Sequence, residues 1–189
     1  MAAIIQIFDE SILFFIQENL RNPVMDRFMV FVTSLGNAGF LWIFIAFLLL
    51  CQKRYQKCGI ALICALSLSM LISDEILKPL VGRLRPNVKF PEIPLLIGSI
   101  HSRSFPSGHS TVAFATAAVL FSYYKFAGIL AYVTAALIAY SRLYLFVHYP
   151  TDVLGGVILG SVIAYLIVNA INQLYSYHLE GAVSKHNTN

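Results

Sequence analysis

Three separated stretches of the sequence concentrate side chains that hold anions and transfer protons. They read KPLVGRLRP at 78–86, PSGH at 106–109 and SRLYLFVHYPTD at 141–152. Each stretch lies at the end of a long apolar block, where a helix that crosses a lipid bilayer would meet water. Cations, a serine–glycine turn, two histidines and an aspartate therefore occur together at the ends of apolar segments.

The cations and the turn are suited to a phosphate group. Lys78 supplies a point charge, and the guanidinium groups of Arg85 and Arg142 can bind oxyanions through paired hydrogen bonds. Ser107 and Gly108 precede an apolar run, so they place a hydroxyl and backbone N–H groups at a helix N-terminus, which attracts anions. Glycine also lets the backbone approach the anion closely. These five residues are the candidate phosphate-binding residues.

Two histidines and one aspartate supply the candidate catalytic groups. One of His109 and His148 could attack phosphorus while the other protonates the leaving oxygen. Asp152 lies four residues after His148 and could accept its Nδ1 proton, which would leave Nε2 free to react. The residues alone favour His148 as the nucleophile because of Asp152, but they do not decide between the two histidines.

Each stretch also has a simpler explanation. Lys78 and Arg85 could be interfacial anchors, Ser107 could be an ordinary helix cap, and His148 with Asp152 could form a structural hydrogen bond. Arg142 is harder to explain in this way, because an ionisable residue in an apolar segment usually has a function. Since alternate spans would bring all three stretches to one membrane face, a joint site is the better interpretation.

The apolar blocks predict the elements that position these groups. Hydrophobic residues make up 58% of the 189 residues and charged residues 12%, about half the charged share of soluble domains. Five blocks approach the roughly 20 apolar residues that a membrane span needs. We therefore predict an all-α polytopic membrane helix bundle with about five transmembrane helices in one domain, at 28–50, 58–77, 108–124, 126–147 and 153–177.

The two ends of the chain are more polar than the blocks. Residues 1–23 predict an amphipathic helix lying in the membrane interface, with Ile5, Phe8, Ile12, Phe15 and Ile16 on one side; a sixth, weakly marked span is the alternative. The transmembrane core is expected at 24–177 and a polar, frayed tail at 178–189. The whole chain, 1–189, is expected to form a single membrane-embedded domain.

No metal or other cofactor is expected. Asp74, Glu75 and Glu92 do not form a convincing two-metal set. Glu75 lies three residues before Lys78, and we expect these two side chains to form an ion pair on one helix face.

The three stretches resemble the motifs of the type-2 phosphatidic acid phosphatase superfamily, which read KxxxxxxRP, PSGH and SRxxxxxHxxxD. Every fixed position is present, at Lys78 and Arg85–Pro86, at 106–109, and at Ser141–Arg142, His148 and Asp152. The resemblance covers residues 78–160 and the helical layout around them, whereas the N-terminal third is similar only in being apolar.

This resemblance implies metal-independent hydrolysis of a phosphate on a membrane lipid. It implies that His148 is the nucleophile, Asp152 its partner and His109 the general acid, while Lys78, Arg85, Ser107, Gly108 and Arg142 bind the phosphoryl group. Arg83 and Arg103 lie outside the motifs, and their roles stay open.

Substrate and location follow less directly. The chain is similar to small bacterial phosphatases that recycle undecaprenyl diphosphate, which is the favoured substrate; phosphatidic acid, phosphatidylglycerol phosphate and lipid A phosphate are alternatives. A lipid phosphate binder or transporter without catalysis is the alternative of another class. The resemblance implies a bacterial inner membrane with the site facing away from the cytoplasm. The expected partners are the bilayer and the lipid substrate, with no nucleic acid, and the oligomeric state is left open.

Overall fold

The protein is a bundle of α-helices that carries its site at one end. The computed structural model describes the backbone of residues 2–186 and the side chains of residues 3–177. This part contains helices and loops but no strand. The helices are α1 (Ala2–Asn19), α2 (Pro23–Leu35), α3 (Phe40–Leu50), α4 (Gln56–Met70), α5 (Lys78–Val81), α6 (Pro86–Lys89), α7 (Gly108–Tyr123), α8 (Lys125–Tyr144) and α9 (Pro150–His186). A π-helical segment, Leu71–Leu77, joins α4 to α5.

Helix α7 occupies the centre of the bundle and packs against α4, α8 and α9. Its alanines at 113, 115 and 117 are fully buried. Gly160 of α9 faces α7 so closely that a side chain there would overlap the carbonyl oxygen of Thr111. Small residues at helix contacts are typical of membrane bundles, because they let the backbones approach. The centre of the fold is therefore held by close helix packing.

The helical membrane bundle predicted from the sequence is confirmed, whereas the count of five spans is not. Three helical stretches in the described part of the chain are long and apolar enough to cross a membrane: Gln56–Lys89, Lys125–Tyr144 and Pro150–Tyr177. The pair α2 and α3 makes a fourth if it is counted as one broken span. Helix α7 has only 16 residues, which at 1.5 Å per residue is shorter than the hydrocarbon core.

The apolar block predicted at 28–50 is broken in its middle. Helices α2 and α3 are bent by 47° at a short 3₁₀ turn, Asn37–Gly39. Ala38 and Gly39 have φ angles of 47° and 68°, in the left-handed region that ends a helix. Helix α2 also begins earlier than predicted, at Pro23, with Asn22 as its N-cap. This break faces the site described below.

Helix α1 covers the segment predicted to be an interfacial helix, and most of its apolar side faces away from the bundle. Ile5, Phe8 and Phe15 are exposed, whereas Asp9, Leu13 and Ile16 are buried. The three buried residues are spaced i, i+4 and i+7, which places them on one face of the helix. The carboxylate of Asp9 therefore shares the inner face of α1 with two apolar side chains. The polar tail predicted at 178–189 begins within the last turns of α9; residues 187–189 lie outside the described residues.

The three candidate stretches lie at the same end of the bundle. The first spans the end of the π-helical segment and α5, the second begins α7, and the third joins α8 to α9. The loop between α6 and α7 covers this end, and its apolar side chains pack beside Met29 of α2 and Tyr144 of α8. The end is thus a packed cap with polar groups at its centre.

Candidate active site

Six of the eight predicted site residues line a single cavity of about 240 Å³. They come from all three stretches and include both histidines. They are Lys78, Arg85, Gly108, His109, Arg142 and His148. The spatial convergence on which the sequence interpretation depended is therefore present. The other two residues, Ser107 and Asp152, are fully buried behind the cavity wall.

Arg85 is held rigidly against the His148 ring. It is 3% exposed, and its Nη1 lies 2.9 Å from His148 Nε2 and donates to the Val147 carbonyl at 2.9 Å. Its Nε and Nη2 donate to the backbone and hydroxyl oxygens of Ser102. A guanidinium group can only donate, so Nε2 of His148 is an acceptor in this arrangement and carries no proton.

The opposite side of the His148 ring faces Ser104 and Asp152. His148 Nδ1 lies 3.5 Å from Ser104 Oγ and 3.6 Å from Asp152 Oδ2. The distance to the carboxylate is too long for a direct hydrogen bond, whereas Ser104 Oγ donates to Asp152 Oδ2 at 2.5 Å. The predicted contact between His148 and Asp152 thus includes a serine hydroxyl that the sequence analysis did not identify.

The surroundings of His148 favour its neutral form. Burial first, and then the positive charges of Arg85 and Arg142, lower the pKa of His148 well below its ordinary value of 6.5. A neutral ring with an unprotonated Nε2 is the form that can act as a nucleophile.

Ser107 has a different place from the one predicted for a phosphate ligand. Its hydroxyl accepts from Ser110 Oγ at 3.0 Å and from the Ser110 backbone N–H, and so it caps α7. Its own N–H donates to the Asp152 carbonyl. Ser107 thereby fixes the start of α7 and links it to α9, while Gly108 presents the helix N-terminus to the cavity.

Arg142 has a buried donor that is available to a ligand. Its Nη1 donates to Thr33 Oγ1 of α2 at 2.5 Å. Its Nε is buried and has no hydrogen-bond partner among the described residues. An unpaired buried donor is costly, and a phosphate oxygen in the cavity that Arg142 lines would satisfy it.

His109 is held by the broken segment between α2 and α3. Its Nε2 lies 3.1 Å from Asn37 Oδ1, which corresponds to an N–H donating to the amide oxygen. The ring also lies against Gly36, where a β-carbon would come within 2.7 Å of His109 Cδ2. The N-terminal third, which carries no motif, therefore contacts the candidate general acid directly.

The predicted partner of Lys78 is wrong. Lys78 Nζ pairs with Asp74 at 2.5 Å, not with Glu75, because Asp74 lies one helical turn before Lys78 on the inner side whereas Glu75 is exposed. Asp74 also lines the cavity. Asp74 lies in the π-helical segment, a geometry that is often found at functional sites.

Several residues at the site were not identified from the sequence, namely Thr33, Gly36, Asn37, Ser102 and Ser104. For Gly36 and Asn37 the sequence did offer a signal, the polar turn GNAG inside an otherwise apolar block. Taken together, the cavity offers cationic donors, a helix N-terminus, one unprotonated imidazole nitrogen and one imidazole N–H. This set can bind a phosphoryl group, attack it and protonate a leaving oxygen.

The chain resembles known proteins over most of its length. A model of the PAP2 superfamily matches residues 59–176. An undecaprenyl-diphosphatase of Sulfolobus acidocaldarius is 36% identical over 146 residues, which cover 76% of this chain and 69% of that protein. A lipid A 4′-phosphatase of Bacteroides thetaiotaomicron is 30% identical over 165 residues, which cover 80% of this chain and 71% of that protein.

A solved structure shares both the fold and part of the sequence. The crystal structure of a transmembrane PAP2 type phosphatidylglycerolphosphate phosphatase from Bacillus subtilis matches 90% of this chain and 87% of its own, with a TM-score of 0.74 and 29% identity. Residues 59–176, which the family model matches, contain all three motifs. On this sequence match, supported by the cavity that the motifs build, the chain belongs to the PAP2 superfamily.

Proposed function

We propose that this chain is a metal-independent lipid phosphatase that hydrolyses a phosphomonoester or diphosphate through a phosphohistidine intermediate, with undecaprenyl diphosphate as the favoured substrate. The supporting observation is the state of His148, whose Nε2 is an unprotonated acceptor in a cavity that also holds Lys78, Arg85 and Arg142. A site that only bound phosphate would not need a buried neutral imidazole among its cations.

The first step forms a bond between His148 Nε2 and phosphorus while the P–O bond to the leaving group breaks. His109 enters this step as an imidazolium and gives the proton on Nδ1 to the leaving oxygen, while its Nε2–H stays on Asn37 Oδ1. The leaving group departs as a lipid alcohol or, from a diphosphate, as a lipid monophosphate. His109 then takes a proton from water, which attacks phosphorus. Cleavage of the P–N bond returns neutral His148 and inorganic phosphate.

Arg85 has two tasks in this sequence. Before substrate binds, its Nη1 covers the lone pair of His148 Nε2. A phosphate oxygen takes over this hydrogen bond, which frees Nε2 for attack and leaves the guanidinium on the developing charge. Asp152 and Ser104 hold the Nδ1 side of the ring, where a negative charge offsets the phosphohistidine cation.

Chemistry without a metal is supported by the donor set. Within the described residues, no three His, Cys, Asp or Glu side chains are grouped so that they could hold a metal ion. The cations around the cavity supply the charge stabilisation that a metal would otherwise provide. We expect activity to survive chelation with EDTA, and vanadate, which resembles pentavalent phosphorus, to inhibit.

The preference for undecaprenyl diphosphate is supported by the relative that carries this activity in its name and is 36% identical. The loop cations outside the motifs give this preference little further support, because most of them already have ion-pair partners. Arg83 pairs with two aspartates and Lys89 with Glu10, so Arg103 is the exposed arginine left for a second phosphate. Phosphatidic acid, phosphatidylglycerol phosphate and lipid A phosphate are the alternative substrates.

We place the enzyme in a bacterial inner membrane with the cavity on the extracytoplasmic side. The apolar helices support a membrane location. The orientation is supported by the family resemblance alone, because the Lys and Arg residues outside the motifs divide equally between the two faces.

Phosphate release by the purified protein in detergent, measured over these four lipid classes, tests the proposal. We expect release that persists in EDTA, fastest on undecaprenyl diphosphate, and almost completely lost in His148→Ala. His109→Ala should slow turnover by about 10²- to 10⁴-fold. Trapping of label from ³²P-substrate on the wild type but not on His148→Ala would support the intermediate.

Two outcomes would overturn the proposal. Unchanged lipid binding with no phosphate release from any substrate would indicate a binder or transporter. Equal turnover by His148→Ala and wild type would exclude the phosphohistidine. Oxidation of halide in the presence of added vanadate would indicate instead a vanadium-dependent haloperoxidase, an activity that uses the same kind of anion site in the wider superfamily.

A further inference from the structure

Arg83 lies behind the cavity rather than in it. It is absent from the cavity lining, yet its Nη1 donates to Asp152 Oδ1 at 2.7 Å and to Thr151 Oγ1 at 2.7 Å. Its guanidinium group stacks on the Tyr149 ring, with 4.1 Å from Cζ to the ring centre. Arg83 thus contacts the three residues 149, 151 and 152 that follow the nucleophile.

The other end of the guanidinium group contacts helix α1. Nη2 donates to Asp9 Oδ2 at 2.5 Å and to Gln6 Oε1 at 3.0 Å. Asp9 in turn accepts from the Thr151 N–H at 2.9 Å and from the Thr151 hydroxyl at 2.5 Å. Asp9 and Arg83 therefore clamp the 149–152 turn from outside the cavity.

The charges in this cluster are interdependent. Asp9 and Asp152 are both fully buried, and Arg83 makes an ion pair with each of them. A buried carboxylate without a partner is strongly unfavourable. One guanidinium group is therefore the shared ion-pair partner of both buried carboxylates.

The two oxygens of Asp152 have separate partners. Oδ1 accepts from Arg83, whereas Oδ2 accepts from Ser104 Oγ and from the Tyr149 N–H and faces His148 Nδ1. The contact with Arg83 prevents the carboxylate from rotating, so Oδ2 stays directed at the ring that must be oriented and whose positive charge must be offset.

We propose that Arg83, held by Asp9 of α1, is a positioning residue that fixes Asp152 for its action on His148, and that α1 is thereby part of the catalytic unit. This inference rests on the proposed function, in which His148 is the nucleophile. It also assigns Arg83 away from the substrate, because both of its Nη nitrogens donate to protein oxygens and the cavity does not reach it.

The test compares Arg83→Gln, Arg83→Lys and Asp9→Asn with a matched control, Lys89→Gln. Lys89 of α6 makes an ion pair with Glu10 of α1, the helix that carries Asp9, whereas the ion pairs of Asp152 in the described part of the chain are with Arg83 and His148. The control therefore loosens the attachment of α1 without touching the Asp152 cluster. Turnover and KM are measured in detergent on one lipid monophosphate and one lipid diphosphate.

We expect Arg83→Gln to lower kcat by about 10- to 100-fold, the range for a catalytic group displaced by up to 1 Å, with KM within about twofold on both substrates. Arg83→Lys should recover part of the loss, because an ammonium group reaches one carboxylate but cannot bridge both. Asp9→Asn should lower kcat by less than Arg83→Gln, and Lys89→Gln should change neither constant by more than about twofold.

If Arg83→Gln does not fold, Asp9→Asn carries the test, since it removes a buried charge while leaving the bond between Arg83 and Asp152. A rise of KM on the diphosphate alone would overturn the inference by making Arg83 a substrate ligand. Equal losses of kcat in Lys89→Gln and Arg83→Gln would also overturn the inference, because the loss would then come from weaker attachment of α1 and not from a displaced Asp152. Full activity of both Arg83→Gln and Asp9→Asn would exclude it. A wild type that releases no phosphate from either substrate would instead overturn the proposed function.

Discussion

Gly36 lies against the His109 ring, so replacing Gly36 by alanine would displace the candidate general acid by adding a single methyl group. Gly36 ends α2 with φ −87° and ψ −9°, angles that alanine adopts without strain. Gly36→Ala therefore adds a methyl group beside the imidazole and leaves the backbone, the nucleophile and the phosphate ligands in place.

The size of the effect follows from three distances. The added β-carbon would lie 2.7 Å from His109 Cδ2, 3.4 Å from Nε2 and 2.9 Å from Ile138 Cγ2. Non-bonded carbons pack at about 3.5–4.0 Å, so the ring must retreat by about 1 Å. Displacement of a catalytic group by about 1 Å costs about 10²-fold in rate, which is at the lower end of what general acid catalysis contributes.

The assay measures kcat in detergent on two substrates that differ in the leaving group. We expect a loss of about 10²-fold on a lipid phosphate, whose alkoxide needs a proton. The loss should be much smaller on an aryl phosphate with an acidic phenol, which departs unprotonated. Gly98→Ala is the matched control, because a β-carbon at Gly98 meets nothing within 4 Å.

Full activity of a folded Gly36→Ala variant would refute the assignment of His109 as a positioned acid. An equal loss on both substrates would also refute it, because the methyl group would then be disturbing phosphate binding or the nucleophile. A loss in Gly98→Ala of the same size would show that the effect is not specific to the ring.

Three further predictions concern the same site. Asn37→Ala should lower kcat about threefold to tenfold on lipid phosphates, because one neutral hydrogen bond that orients His109 is lost; steady-state kinetics at saturating substrate measure this. Thr33→Val should reduce stability by about 1.5–3 kcal/mol, because the buried guanidinium of Arg142 loses its partner; denaturant unfolding in detergent measures this, and an unchanged midpoint would contradict it. Stability should fall as the pH drops below about 6.5, because the pKa of His148 is lowered on folding and the unfolded chain then binds the extra proton; the fall should be smaller in His148→Asn, and a thermal midpoint equally independent of pH in both proteins would contradict it.

The chemistry of the site could be predicted because it is local in the sequence. The fixed spacing within each stretch places Lys78 near Arg85 and His148 near Asp152, and alternating apolar blocks bring the stretches to one membrane face. Hydropathy also identified α7 as a helix, although its 16 residues fall short of a full span.

The contribution of the N-terminal third could not be predicted, because it depends on contacts between distant positions. Thr33 and Arg142 are 109 residues apart, and Asn37 and His109 are 72 apart. A single polar residue in an apolar block forms no periodic pattern, so the sequence does not indicate which distant residue it contacts. Asp9 lies in the segment predicted to be an interfacial helix, and only the structure shows that it is a buried carboxylate that binds Arg83 and Thr151.

The sequence by itself determined which groups are available: an all-helical membrane chain, a cationic phosphate site, two imidazoles and an aspartate beside one of them. The tertiary structure decided how those groups are used. It pairs Lys78 with Asp74, assigns Ser107 to a helix cap, and engages Arg83 with two carboxylates. The physical reason is that residue type and spacing establish what a side chain can bind, whereas its actual partner depends on which helices pack within hydrogen-bond distance of it.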